Sequence, residues 1–358
     1  MSWLIVLGGF CVLIILHELG HFTVAKLVGM RVEKFSLFFP PTIWSKKKGE
    51  TEYAIGAIPA GGYVRISGMN PSEDLPDDVR DRAYHAQPVW KRIAVIAAGP
   101  AVNFVLAFLL LLLFYAALGP RETSGRIEAV QKGYPALGKL QPGDKVVAVD
   151  GRPGAPAELS KRIAAHECPG EQVAGCRGTP VRITVKRDGR TMTFTLRPKY
   201  DPEAGRVRLG FGYAADGPRH AFGFSKALDI TKDQFWFITR ETVKLPAYIF
   251  DSQKRKDIQG IVGVSDTTHK AISQDTGDAV FLFAVISLSL AIINLFPFLP
   301  LDGGHIFWAA VEFVRRRPVP YSVMERAGVL GFMLVLGLFL LGLTNDIDRL
   351  TSGGTGVR

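Results

Sequence analysis

The stretch "IAVIAAGPAVNFVLAFLLLLLFYAAL", Ile93–Leu118, contains no charged side chain. A helix needs about 20 apolar residues to cross the hydrocarbon core of a bilayer, and this run exceeds that. Three further stretches resemble it. Ala279–Leu301 and Ala327–Thr344 are free of charge, and Trp3–Val28 is apolar apart from one lysine and the cluster "HELGH". The reading is an α-helical polytopic membrane protein with four transmembrane helices. A cleaved signal peptide does not suit the first run, which has no basic n-region and no small-residue cleavage site. The mean hydropathy of +0.17 over 358 residues hides this segregation.

Charge placement adds an orientation. The formal net charge is +10, and Arg31–Arg92 carries ten Lys or Arg, including Lys46, Lys47 and Lys48. Arg315, Arg316, Arg317 and Arg326 lie in the link between the third and fourth runs. The positive-inside rule puts both links in the cytoplasm and the N-terminus outside. Basic residues beside spans act as anchors at the lipid surface, and nothing in the pattern points to nucleic acid.

Between the spans the chain changes character. "TEYAIGAIPAGGYVRISG", Thr51–Gly68, reads as a strand, a tight bend and a second strand. Asn70–Gln87 is acidic and polar and reads as a cytoplasmic loop, with an amphipathic piece at the membrane surface as the alternative. Residues 121–218 read as an inserted β-rich domain. "VRITVKR" and "RTMTFTLR" are joined there by Asp188-Gly189, a hairpin turn signal. Cys168 and Cys176 lie close together in it, so a disulfide is possible in an oxidising compartment. Residues 219–278 hold an amphipathic helix around Phe222–Phe250, then a turn-rich connector over "DIQGIVGVSD". The domain plan is therefore 1–120, first half of the membrane core; 121–218, β-rich domain; 219–278, amphipathic helix and connector; 279–346, second half of the core; and 347–358, a disordered tail.

The chemistry is concentrated in "ILHELGHFTV", Ile15–Val24. On a helix His17 and His21 are one turn apart and share a face, so two imidazoles can serve one ion. Inside a membrane an unpaired ionisable group costs a few kcal/mol, and a metal gives three of them a reason to be there. Neutral imidazole suits zinc. Glu18 lies beside the pair, placed to take a proton from a water and pass it to a leaving amine. Catalytic zinc takes three protein ligands and keeps one open position. "NLFPFLPLDGGH", Asn294–His305, offers the third, because Pro297 and Pro300 break the helix just before Asp302. Asp302 is the first choice, His305 competes, and Asp302 could instead orient a histidine. At 1.5 Å per residue, His17 and His21 lie roughly 7–13 Å from the cytoplasmic end of their helix, a level that Asp302 can share.

HELGH, "IPAGGYV", "GPAVNF" and "NLFPFLPLDGG", in that order, resemble the site-2 protease family of intramembrane zinc metalloproteases. The likeness is greatest to its bacterial branch bearing PDZ domains, the regulator of sigma-E protease type. It covers most of the chain. It implies Zn2+ held by His17, His21 and Asp302, Glu18 as the catalytic base, and Asn294 holding substrate backbone or the oxyanion. It also implies that Tyr53, Ala54, Ile55, Gly61, Gly62, Tyr63 and Val64 pair with an unwound substrate. "GYPALGKLQPGDKVVAVDGRP", Gly133–Pro153, resembles the PDZ signature of that branch, with Gly138-Lys139 as a departure. The implied partners are the lipid bilayer and single-pass membrane proteins already cut by a site-1 protease, in a bacterial inner membrane. A transporter is an alternative, since broken helices and midplane polar groups also mark transporters. A non-catalytic PDZ-bearing scaffold is another.

Overall fold

The computed structural model describes residues 2–351 except 71–72, 203, 249–250, 252–254 and 256–259. The chain divides into two compact units, Met1–Ala117 with Phe222–Ser352, and Leu118–Ala221.

The first unit opens with α1 (Ser2–Leu27). Then β1 (Val32–Lys48) and β2 (Thr51–Ile66) pair antiparallel. Each is bent, and together they act as four segments. Residues 32–37 sit between two stretches of β2: Ser36 is partnered by Tyr63 on one side and by Ala54 on the other. Residues 42–48 pair with the far side of 51–56, Ser45 against Ala54. The two halves of β2 therefore flank β1 and do not form the simple strand–bend–strand hairpin that their sequence suggests. β1 escaped the sequence reading because Pro40, Pro41 and three lysines disguise it as a basic loop.

Glu50, in the β1–β2 turn, accepts from Arg82 Nη1 and Nη2, both at 2.8 Å, and from Lys26 at the end of α1. These hydrogen bonds hold its carboxyl down to about 2, from an ordinary 4.5. A depressed carboxylate stabilises the fold fully above its ordinary value and stops doing so as pH falls through the native one. Protection of the β1 and β2 amides, taken against the free-amide exchange rate at each pH, is therefore expected to fall between pH 4.5 and about 2. Glu50→Gln should flatten that dependence, and an unchanged profile would refute the anchor.

Asn70–Gln87 is not all loop. It holds a helical turn, α2 (Asp77–Arg80), and a 3-10 turn at Tyr84–Ala86. Then α3 (Val89–Leu113) runs on into a π turn, Phe114–Leu118.

The second unit is β-rich. It contains β3 (Ile127–Val130), β4 (Lys145–Val149), β5 (Arg152–Pro153), α4 (Pro156–Ala164), β6 (Val181–Arg187) and β7 (Arg190–Leu196). β8 (Lys199–Asp201), β9 (Arg206–Arg208) and β10 (Phe211–Tyr213) complete it. The main sheet has the order β5-β4-β6-β7. Asp188 and Gly189 take φ of 48° and 79°, as a two-residue hairpin turn requires, and Arg187 pairs with Arg190. "RVRLGFGY" does not form one strand. It divides at Gly210, at φ 79°, into β9 paired with β8 and β10 paired with β3. Val149, Leu159, Val181, Ile183 and Val185 are fully buried in its core. Cys168 and Cys176 are bonded.

The first unit resumes with α5 (Phe224–Tyr248), the amphipathic helix, which packs on α3 through Phe235 against Phe104 and Phe108. Ile249 and Phe250, the expected end of that helix, lie outside the described residues. The described part of the connector is helical where turns were expected: α6 spans Ile261–Gln274. Its start depends on a distant cap, with the Asp346 carboxylate accepting from Gly260 N at 3.1 Å and Gly263 N at 2.8 Å.

α7 (Thr276–Asn294) ends before the proline-containing break at 295–301, so the third apolar run stops being helical seven residues before Leu301. α8 (Asp302–Arg315) and α9 (Tyr321–Thr351) follow. Arg326 and Thr351 are thus helical, and the rest of the tail, 352–358, lies outside the described residues. Among the described residues, four helices are long and apolar enough to cross a membrane: Trp3–Leu27, Val89–Leu118, Gly277–Asn294 and Ser322–Ile347. The last of these leaves Val329, Leu330, Phe332 and Met333 exposed, as suits a helix facing lipid. Arg92 on α3 forms a bidentate pair with Glu312 on α8, at 2.9 and 2.8 Å, fastening the helix that begins with Asp302 to the second span.

Candidate active site

The site is assembled from four helices, α1, α3, α7 and α8, and one strand, β2. α1 presents His17 and His21, each 7% exposed, on one face. Their rings meet edge to face, with centroids 4.9 Å apart. α3 crosses α1 very closely here. A Cβ on Gly20 would come within 2.7 Å of Ala98 O, and one on Gly99 would strike the His21 ring. These two glycines give the imidazole its space.

The break between α7 and α8 places the acid. Pro297 and Pro300 deny the chain helical hydrogen bonds. Gly303 and Gly304 then let the loop fold back over the first turn of α8, where a Cβ on Gly304 would meet Leu299 N at 2.5 Å. Asp302, the first residue of α8, is carried into the histidine pair. Its Oδ2 lies 3.3 Å from His17 Nε2 and 3.3 Å from His21 Nε2, and those two nitrogens are 3.2 Å apart. Zinc bonds of about 2.0–2.1 Å in a tetrahedral arrangement require donors about 3.3–3.4 Å apart. Asp302 Oδ2 is buried with no hydrogen-bond partner, a costly state for an oxygen unless a cation takes it. His21 Nδ1 is 2.9 Å from Val95 O, so the proton resides there and Nε2 is free. Zinc fits this donor set.

His17, His21 and Asp302 are the one His/Cys/Asp/Glu group of metal-ligand spacing among the described residues. His305 does not belong to it. Its ring nitrogens lie outside the group, although the residue follows Asp302 by three positions on α8. Glu18, half-buried, faces Gly62, where a Cβ would lie 3.0 Å from Glu18 Cγ. Asn294, the last residue of α7, sets its Nδ2 3.5 Å from His17 Nε2.

The sheet residues divide into two groups. Tyr53, Ala54 and Ile55 are paired on both sides, so they have no open edge. Gly62, Tyr63 and Val64 are paired only with residues 35–37, so among the described residues they form a sheet edge.

The profile of Peptidase family M50 matches residues 5–338. This chain belongs to that family, the site-2 proteases. It is therefore a zinc-dependent protease of the intramembrane type. Zinc metalloprotease Rip1 of Mycobacterium tuberculosis is 31% identical, over 93% of each chain. Metalloprotease MmpA of Caulobacter vibrioides is 30% identical, over 94% of this chain and 93% of its own.

Two features of this M50 site were missed in the sequence. One is Asn103, fully buried, with Nδ2 3.2 Å from His17 Nδ1. The other is the α3–α8 ion pair. A lone amide four residues after Gly99 in an uncharged run was the signal available for the first. Nothing local marks the second, whose partners are 220 residues apart.

Proposed function

We propose that this chain cuts single-pass membrane proteins within or near their transmembrane segments, close to the cytoplasmic face. The cut follows removal of the outer part of the substrate by a site-1 protease. Membrane-bound anti-sigma factors and remnant signal peptides are the substrate types. The observation that carries the reading is the convergence of His17 Nε2 and His21 Nε2, inside the first span, with Asp302 Oδ2, all within 3.3 Å of one another, beside Glu18 and a sheet edge.

His17, His21 and Asp302 hold the zinc. Bound there, zinc supplies Lewis acidity to the scissile carbonyl and to the attacking water. Glu18 takes the proton from that water and returns it to the leaving nitrogen. Asn294, an amide at the end of α7, hydrogen-bonds the substrate backbone or its developing oxyanion. A helical substrate hides its peptide bonds, so it must be extended before it can be cut. Pairing with the edge Gly62–Val64 satisfies the backbone groups that unwinding exposes. Gly61 belongs to the approach to this edge. Tyr53, Ala54 and Ile55 brace it from inside the sheet.

The remaining proposals concern placement. The second unit acts as a PDZ domain outside the cytoplasm, admitting only substrates already trimmed there. The N-terminus is outside, the site opens to the cytoplasm, and the membrane is a bacterial inner membrane. The basic residues of 31–92 and 315–326 support this orientation.

The test uses purified protein, a fluorogenic transmembrane substrate, and a chelator. Cleavage should stop with chelator and return with zinc. Proline introduced separately at Tyr63 and Val64 removes one backbone donor in each case, and because donors alternate along a strand, one of the two is the outward donor of the edge. That variant should lose about 3–10-fold in kcat/KM, the worth of one hydrogen bond, with zinc content unchanged. Full activity in both proline variants would remove the sheet edge from the mechanism.

A further inference from the structure

We infer that Asn103 is a positioning residue that sets the tautomer of His17 and so presents its Nε2 to zinc. The inference rests on the zinc-site reading above. Asn103 is fully buried, its Nδ2 is 3.2 Å from His17 Nδ1, and its Oδ1 is buried with no partner. With Nδ2 facing the ring, Nδ1 must accept, and the His17 proton then sits on Nε2. That nitrogen is 3.2 Å from His21 Nε2 and 3.3 Å from Asp302 Oδ2, where a proton would stand in the place of the ion. A half-turn of the amide exchanges Oδ1 and Nδ2. Oδ1 then accepts from His17 Nδ1–H, and Nε2 carries the free lone pair.

The same helix already does this for the other ligand. Val95 O is 2.9 Å from His21 Nδ1. Val95, Gly99 and Asn103 follow one another at intervals of four and form one stripe of α3. Along it, a carbonyl orients His21, a glycine clears room for its ring, and an amide orients His17. Asn103 is itself held in place, because its backbone oxygen accepts from Ser287 Oγ on α7 at 3.0 Å. Partners of this kind fix ring orientation and raise ligand basicity, and losing one weakens metal affinity about 10–100-fold.

The test measures zinc affinity by chelator competition on the full-length protein in detergent. Asn103→Leu should bind zinc about 10–100-fold more weakly and shift the d–d absorption of the cobalt-substituted protein. Asn103→Asp keeps an acceptor at Nδ1 and should recover most of that affinity. Nitrogen-15 histidine spectra of the unmutated zinc protein should show His17 protonated at Nδ1, a readout that needs no variant to fold. Zinc bound through His17 Nε2 with unchanged affinity in Asn103→Leu overturns the inference alone, whereas a His17 protonated at Nε2 in the zinc protein overturns the site as well. Zinc bound without His17 overturns both this inference and the site it rests on.

Discussion

Glu18→Gln is expected to keep stoichiometric zinc and lower the rate of peptide cleavage by about 10²–10⁴-fold, the usual worth of a general base. Glutamine has nearly the size of glutamate, so the packing of α1 against Gly62 survives. What it lacks is the ability to take a proton. Neither His17 nor His21 can substitute, because each spends Nε2 facing Asp302 at 3.3 Å. Single-turnover cleavage with zinc measured on the same sample decides the matter. A scaffold or transporter would keep its role in this variant, so a membrane phenotype that survives Glu18→Gln but not deletion would argue against proteolysis as the chain's task. Loss of zinc along with activity would show that Glu18 holds the site together and does not serve as its base.

Asp302→Ala is expected to weaken zinc binding by more than about 100-fold, since loss of an outer partner alone costs about 10–100-fold. Two imidazoles one turn apart would remain, one donor short of a catalytic zinc site. His305→Ala is the matched control. It stands three residues further along the same helix, outside the group formed by His17, His21 and Asp302, and should retain zinc. Metal analysis after dialysis against a weak chelator separates the two. If His305→Ala loses zinc and Asp302→Ala does not, the third ligand has been assigned to the wrong residue, and the break at 295–301 must rearrange in solution.

The membrane spans were legible because lipid imposes a long-range demand that is written locally: a helix crossing it must be apolar along its whole length. The Asp188-Gly189 hairpin was legible for a similar reason, since positive φ at both positions selects those residue types. α6 was not, because its N-terminal groups are capped by Asp346, 83 and 86 residues away. Nor was the strand order around β1. Segment 32–37 lies between two parts of β2, and the prolines at 40 and 41 obscure the periodicity of its strand.

Within the site, the sequence alone determined the ion class and the chemistry. Two histidines at helical spacing beside a glutamate, in a run where charge is expensive, call for a bound cation and a base next to it. Tertiary structure brings Asp302, already the first choice, and not His305 to the histidine pair, leaves the open edge to Gly62–Val64 and not Tyr53–Ile55, and sets Val95 and Asn103 of α3 beside the two imidazoles. Each of these depends on which backbones approach one another across tens to hundreds of residues. Sequence spacing carries no record of such distances once the chain leaves a single helix.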